Sequence, residues 1–180
     1  SATFYNNIYQ LQAGHYLKYK PHKSKLDTSL HWKCDPAPNH RITEADAIER
    51  FRALFDMSVS RRLRSDVPLG SSLSGGLDSS AIVATVSQLP SAGSYNSCFS
   101  AVFPGYAKDE SEYIDIVADK FCLNSYKVAP SAEDLANELE QFLYHQESPV
   151  ISASVYAQYK VFELAKQNNV TVLLDGQGAD

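Results

Sequence analysis

An α/β fold, a parallel twisted sheet with helices on both faces and a small N-terminal β-hairpin appendage, follows from three features of this 180-residue sequence. The runs "VPLGSSL", "SCFSAVF" and "VTVLL" are short and apolar or β-branched, as strands are. Between them, apolar residues recur every three or four positions, as on a helix face. Ahead of them, "IYQLQAGHYLKY" alternates apolar and polar residues on both sides of Ala13-Gly14, which predicts a hairpin with a short turn. Strands separated by helices require crossover connections, and those produce a parallel sheet covered on both faces.

Taken in order, the predicted hairpin covers Ile8 to Tyr19, and residues 20 to 41, with Pro21, Pro36 and Pro38, read as linker. Thr43 and Asp46 have the spacing of a capping box ahead of Ile48, Phe51, Phe55, Val59 and Leu63, which predicts an amphipathic helix. Arg61, Arg62 and Arg64 read as its solvated end. Ile82, Val86 and Leu89 mark a second helix face; Tyr113, Ile116, Val117 and Phe121 mark a third. Ser131 and Asp134 open a further helix through Leu135, Leu139 and Phe142, and a last one near Ser154 to Lys166 leads into the strand 170–174. No repeat or low-complexity segment interrupts the pattern.

Composition narrows the function classes. A hydrophobic content of 44% is enough for one core of ordinary size. A net charge of −5 provides no broad basic field, which argues against a nucleic-acid partner or an anionic membrane surface. The apolar runs fall short of the roughly 18 to 20 residues a membrane span needs. Cys34, Cys98 and Cys122 lack metal-ligand spacing and the five histidines are scattered, so reduced thiols and a cytoplasmic protein are expected.

The segment "SLSGGLDSSA", residues 72–81, combines two glycines, an aspartate and hydroxyls between a strand and a helix. In parallel α/β sheets ligands bind beyond the strand C-termini. The predicted ends are Leu73-Ser74, Phe103-Pro104 and Leu174-Asp175, so this motif and the terminal "DGQGAD" are expected at one edge of the sheet. Gly75 and Gly76 permit backbone conformations closed to other residues, and the first N–H groups of the next helix are unpaired at the positive end of its dipole. Together they describe an anion cradle. Ser74, Ser79 and Ser80 can donate hydrogen bonds to phosphate oxygens, while Asp78 would repel a bare phosphate unless magnesium intervenes. The alternative is a plain glycine-rich turn with Asp78 as its N-cap. A Walker loop is excluded by the lack of any Gly-Lys pair, and a Rossmann fingerprint by the missing third glycine. A nucleophile elbow built on Ser74 would need glycine in place of Ser72.

"SLSGGLDSS" resembles the pyrophosphate-binding loop of the ATP pyrophosphatase (PP-loop) superfamily. With "NIYQLQAGHYLKY", "RLRSDVPLGSSLSGGLDSS", "FSAVFPGYAKDESEY" and "VTVLLDGQGAD" in the same order and spacing, the chain resembles the synthetase domain of glutamine-hydrolysing asparagine synthetases. The resemblance implies an adenine nucleotide alpha-hydrolase-like fold and an ATP-dependent amide ligase. ATP would adenylate the side-chain carboxylate of aspartate, and ammonia derived from glutamine would then displace AMP. It further implies that Ser74, Gly75, Gly76, Asp78, Ser79 and Ser80 hold pyrophosphate and magnesium. Leu73 and Ala101 would lie beside the adenosine, Asp175 and Gly176 at its other edge, and Asp180 would be the second magnesium ligand. The bland reading of Leu73 and Ala101 is that they are core residues at strand ends.

Gln177 stands where many members of the family have Glu, and an uncharged amide orients rather than abstracts. Asp109 and Glu110 either join the site or serve as dipole partners of the helix they open. The segment 147–159, through Ser152, Ser154 and a helix N-terminus, either supplies the aspartate pocket or is a capped helix. Residues 1–33 look like the end of a glutaminase domain and its connection, with the synthetase domain over 34–180. Because the chain begins with Ser1 and has no cysteine before Cys34, the glutaminase nucleophile is expected to be missing. The start without methionine and the end just after an apolar run read as a piece of a longer chain, truncated at the C-terminus and inactive alone. The resemblance leaves a homodimer of the full-length protein open. A related amidotransferase or β-lactam-type ligase acting on another carboxylate, and a non-catalytic nucleotide-binding module, are the alternatives.

Overall fold

Four strands, β3 (Leu69–Ser72), β4 (Ser97–Ala101), β5 (Asn124–Val128) and β6 (Val172–Leu174), form a parallel sheet in the order β5-β4-β3-β6. This computed structural model describes residues 2–34, 36–38, 41–89, 95–107, 109–150 and 152–178. The chain divides into two compact units, residues 1–44 and 45–180, and the sheet belongs to the second.

In the first unit, β1 (His15–Lys20) pairs antiparallel with β2 (Lys25–Leu30), from His15 opposite Leu30 to Lys20 opposite Lys25. The hairpin therefore lies further along the chain than the sequence predicts. Its turn is the 3-10 segment Pro21–Lys23 closed by Ser24 in the left-handed region, and not Ala13-Gly14. "KLDTSL" alternates as "HYLKY" does, so the strand signal was present inside the stretch read as linker. The carbonyl of Gly14 is engaged in a different way, accepting from the backbone N–H groups of His31 and Trp32 at 2.7 and 3.0 Å.

In the second unit, α1 (Glu44–Arg62), α2 (Leu77–Gln88) and α3 (Ser111–Lys120) pack on one face of the sheet, and α5 (Ala153–Gln167) covers the other. The period of two along each strand decides which side chain goes where. Cys98 and Leu73 face Val83, Ile114 and Ala118, whereas Phe99 faces Val161 and Ala165 and stacks on Tyr126 with ring centroids 5.1 Å apart. α4 (Ala132–Gln146) packs on α5 through Phe142, whose ring meets those of Tyr156 and Tyr159. It opens at Ser131 and Asp134, as the sequence predicts, and the two form a reciprocal capping box. The helix end at Arg61 and Arg62 is as expected, with Arg62 donating to the Ser58 carbonyl at 3.0 Å.

Three sequence expectations change. β5 is a strand that "NSYKV" did not advertise, because it is an edge strand with alternating exposure. The buried face of α3 is Ile114 and Ala118, with Val117 and Phe121 beside them; Tyr113 and Ile116 point outward and are more than half exposed. Along α1, Val59 and Leu63 reach the core, but Ile48 and Phe51 are 56% and 69% exposed, since α2 runs beside only the later turns. Among the described residues no helix is long and apolar enough to cross a membrane.

Under the sheet, the hydroxyl of Tyr95 bonds that of Ser71, and both side chains are buried. Burial pushes the Tyr95 phenol up to about 12, against the opposing pull of the Ser71 hydrogen bond. Because the folded value lies above the ordinary 10.0, the neutral phenol's stabilisation is complete below pH 10 and is lost as the pH rises toward 12. Urea titrations of the parent should therefore show stability falling across pH 10–12. Tyr95→Phe should show a shallower fall, together with a loss of about 1–3 kcal/mol at pH 7 because the Ser71 hydroxyl is left unpaired. Parallel pH profiles would count against this account.

Candidate functional site

The turn that follows β3 is built by its own side chains. Ser100 Oγ donates to the Leu73 carbonyl at 2.6 Å and the Leu73 N–H donates to the Phe99 carbonyl, which fixes the strand end before the turn begins. Ser74 Oγ accepts the Gly76 N–H at 3.2 Å and lies 3.0 Å from Ser79 Oγ, which in turn donates to the Gly76 carbonyl. Ser79 is buried in this arrangement, acting as an internal strut, while Ser74 and Asp78 are exposed.

The two glycines differ in what they do. Gly75 has φ +82, and a Cβ there would meet the Tyr113 Cβ at 3.0 Å and the Glu110 carbonyl at 3.1 Å, so the turn leans directly on the first turn of α3. Gly76 has an ordinary φ of −70, which corrects the expectation that both need a glycine-only backbone. Gly76 is itself the N-cap of α2, with no side chain capping it. Asp78 is therefore not the N-cap; it lies inside the first turn of the helix. The first N–H groups of α2 have no intrahelical partner, and with the dipole they make the turn's outer side an electropositive concavity.

β6 delivers the second loop to the same edge. Ser71 pairs with Leu174, so Asp175 follows its strand level with Ser72 and Leu73. Gly176 passes so near α2 that a Cβ on it would lie 3.1 Å from the Ser79 nitrogen and 3.1 Å from the Asp78 Cβ. Asp175 Oδ1 accepts the Gln177 N–H at 3.1 Å, closing the turn, and Oδ2 accepts from Gln158 Nε2 at 2.9 Å. Asp180 lies outside the described residues. Ser80 follows in the first turns of α2, where its N–H donates to the Gly76 carbonyl.

Two hollows flank this junction. On the α5 side a cavity of about 230 Å³ is lined by Leu73, Ser74, Ala101, Phe103, Asp109, Glu110, Ser154 and Gln158, among others. On the other side an open groove of about 930 Å³ runs between α1 and α2, and Asp78, Asp175, Gly176 and Gln177 form its end. Leu73 is almost fully buried, yet it borders the cavity together with Ala101. Asp109 clasps the loop after β4, accepting the Phe103 N–H at 2.9 Å and the Ser111 hydroxyl at 2.8 Å. Those hydrogen bonds hold its carboxyl below the usual carboxylate range. Ser152 caps α5 by accepting the Ser154 N–H, and Ser154 borders the cavity. Ser72, Ser100 and Gln158 lie inside segments that the sequence singles out, but their roles were not legible there, because each acts through a partner at least 17 residues away.

Comparison with known proteins gives a consistent picture. The family described as asparagine synthase matches residues 50–180. A putative glutamine-hydrolysing asparagine synthetase 2 of Methanocaldococcus jannaschii is 31% identical over 180 residues, covering 99% of this chain and 34% of that protein. Asparagine synthetase 1 of Bacillus subtilis is 36% identical over 129 residues, 71% of this chain and 20% of that protein. The amidase chyE of Penicillium rubens is 25% identical over 195 residues, covering the whole chain and 29% of its own length. The chain thus spans about a third or less of the length of these curated relatives.

The different demands at the two glycines are measurable. Gly75→Ala should cost about 2–3 kcal/mol, since the new methyl must displace α3 backbone and hold a left-handed φ. Gly76→Ala should cost about 0.5–1 kcal/mol, the ordinary loss at an N-cap. Urea denaturation of both variants decides, and equal losses would contradict the geometry.

Proposed function

This chain belongs to the asparagine synthase family, and from that premise we propose that it is the nucleotide-binding part of an ATP-dependent ligase that forms asparagine from aspartate. The observation that carries the reading is the convergence of two sequence-distant loops on the uncapped N-terminus of α2, with Gly176 in contact distance of Asp78 and Ser79. An N-terminus of this kind binds phosphate oxygens through backbone N–H groups and the helix dipole. In this reading Ser74, Gly75, Gly76 and Ser80, together with the backbone N–H of Ser79, hold the pyrophosphate portion of ATP, while the buried Ser79 hydroxyl braces the turn. Leu73 and Ala101 border the adenosine, and Asp175 and Gly176 form its opposite edge.

An aspartate side-chain carboxylate oxygen attacks the α-phosphorus, the bond to the β-phosphate bridging oxygen breaks, and pyrophosphate leaves. Ammonia then attacks the acyl carbon of β-aspartyl-AMP, and AMP departs with the bonding electron pair. Catalysis in the first step rests on stabilising charge as it develops on the leaving pyrophosphate, for which fixed N–H donors suffer little reorganisation. Gln177 positions its partner by hydrogen bonding and abstracts no proton, since an amide is not a base at neutral pH.

The fit to magnesium depends on the donor set. Asp78 is an exposed carboxylate in the first turn of α2. No group of three His, Cys, Asp or Glu side chains among the described residues could hold a metal. One or two carboxylates completed by substrate phosphates are the usual setting for magnesium, so Asp78 with Asp180 would hold an ion bound together with ATP. When bound, that ion supplies neutralisation of phosphate charge.

Residues 1–33 fit the end of a glutaminase domain that supplies the ammonia, with the synthetase domain over 34–180. Three free cysteines fit a cytoplasmic setting. A second reading, an amide-forming or amide-cleaving enzyme with another carboxyl substrate, is favoured by the fungal relatives named amidases.

In the intact protein, aspartate should support ATP–pyrophosphate exchange. Exchange with a different carboxylate would select the amide-forming form of the second reading, amide hydrolysis without exchange its amide-cleaving form, and neither activity would reject both readings. Asp78→Asn should weaken Mg-ATP binding about tenfold and leave metal-free ATP binding nearly unchanged, the loss expected for one charged contact. Equal weakening would remove Asp78 from the metal. Gln177→Ala should slow pyrophosphate release, followed by rapid quench, by about ten- to a hundredfold. A variant as fast as the parent would reduce Gln177 to a loop residue.

A further inference from the structure

Gln158 lies on α5, on the opposite side of the sheet from α2, within the segment 147–159 but with no role of its own legible there. Its Nε2 nevertheless reaches across the sheet edge, donating to Asp175 Oδ2 at 2.9 Å and lying 3.4 Å from Ser72 Oγ. Asp175 Oδ1 is already occupied by the Gln177 N–H. The two oxygens of one carboxylate are thus divided, one closing the turn and the other tying it to α5. The turn so held carries Gly176, which approaches the first turn of α2 so closely that a Cβ would lie within 3.1 Å of the Ser79 nitrogen. Asp175 itself is exposed and follows a strand of only three residues, Val172–Leu174, so little packing fixes it otherwise.

We propose that Gln158 is a positioning residue that sets the 175–178 turn against the N-terminus of α2. It thereby sets the width of the edge at which ATP binds; this last consequence rests on the function proposed above. A donor is required at this position, and the shape of the side chain is secondary. A hydrogen bond from Gln158 to a carboxylate is of the stronger, charge-assisted kind, whereas a second carboxylate in its place would repel Asp175.

Two variants separate donor from shape in the intact protein. Gln158→Glu keeps the shape and removes the donor, while Gln158→Lys changes the shape and keeps a donor within reach of Asp175. Hydrogen exchange at the Gln177 amide, measured without nucleotide, should quicken about tenfold in Gln158→Glu and return to within about threefold of the parent in Gln158→Lys. The KM for ATP should follow the same order, rising about tenfold and then recovering, with kcat changed less and the melting temperature of α5 and the sheet retained. Unchanged exchange in Gln158→Glu, or Gln158→Lys no better than Gln158→Glu, would overturn the positioning role. Faster exchange with an unaltered KM would overturn its bearing on ATP. A parent that binds no ATP at all, with exchange still responding to the two variants, would support the positioning role and reject the proposed function instead.

Discussion

Ser71 stands beside Leu174 because β3 and β6 run parallel, and the rest of the site depends on that pairing. Parallel neighbours end at the same edge, so the loops that follow them must share it. Here the shared edge brings the glycine-rich turn of residues 74–76 to the DGQG turn of 175–178. Gly176 can then lie against Ser79 with no side chain between them. An antiparallel β6 would have sent Asp175 to the far end of the sheet and left the uncapped N-terminus of α2 facing one loop alone.

Both sides of the sheet support this junction, and by different means. On the α1–α3 side the support is packing: Leu73 sits among Val83, Cys98 and Ile114, and the turn leans on α3 through Gly75. On the α5 side it is hydrogen bonding, through Ser72, Gln158 and Asp175. α5 is itself held by the edge-to-face contact of Phe142 with Tyr156 and by Glu138, which accepts from Tyr156 at 2.8 Å and pairs with Lys160. Burial and the neighbouring Glu138 push the Tyr156 phenol up to about 12. Burial alone would lower the Lys160 ammonium, but its bonds to Glu163 and Glu138 outweigh that and raise it. α4 and α5 are thus joined through Glu138, whose carboxylate meets both Tyr156 and Lys160 of α5.

The hydroxyls of the turn divide the work. Ser79 and Ser100 are buried and spent on the backbone, Ser100 on the end of β3 and Ser79 on the turn itself. Ser74 is exposed and borders the cavity on the α5 side, while Asp78 faces the groove on the other. The motif's own polar groups, alike in sequence, are in space one buried strut, Ser79, and two outward-facing groups, Ser74 and Asp78, while the clamp comes from Ser100 of β4.

By itself the sequence determined the helices and the strands β3, β4 and β6 among them, the helix start at Ser131 and Asp134, and the meeting of "SLSGGLDSS" with the "DGQG" of residues 175–178 at one edge. These follow from local periodicity and from a connection rule that holds for any parallel sheet. Only the tertiary structure decided the partner of β1, because "KLDTSL" and "IYQLQ" alternate equally well and pairing register is not a local property. It also decided that Gly75 and not Gly76 takes the left-handed backbone, at a point where a Cβ would besides crowd the Glu110 carbonyl just ahead of α3. Gln158 was illegible for the same reason: its chemistry is one hydrogen bond to a residue 17 positions away, and nothing in a linear pattern records which amide on a helix face will find a carboxylate across the sheet.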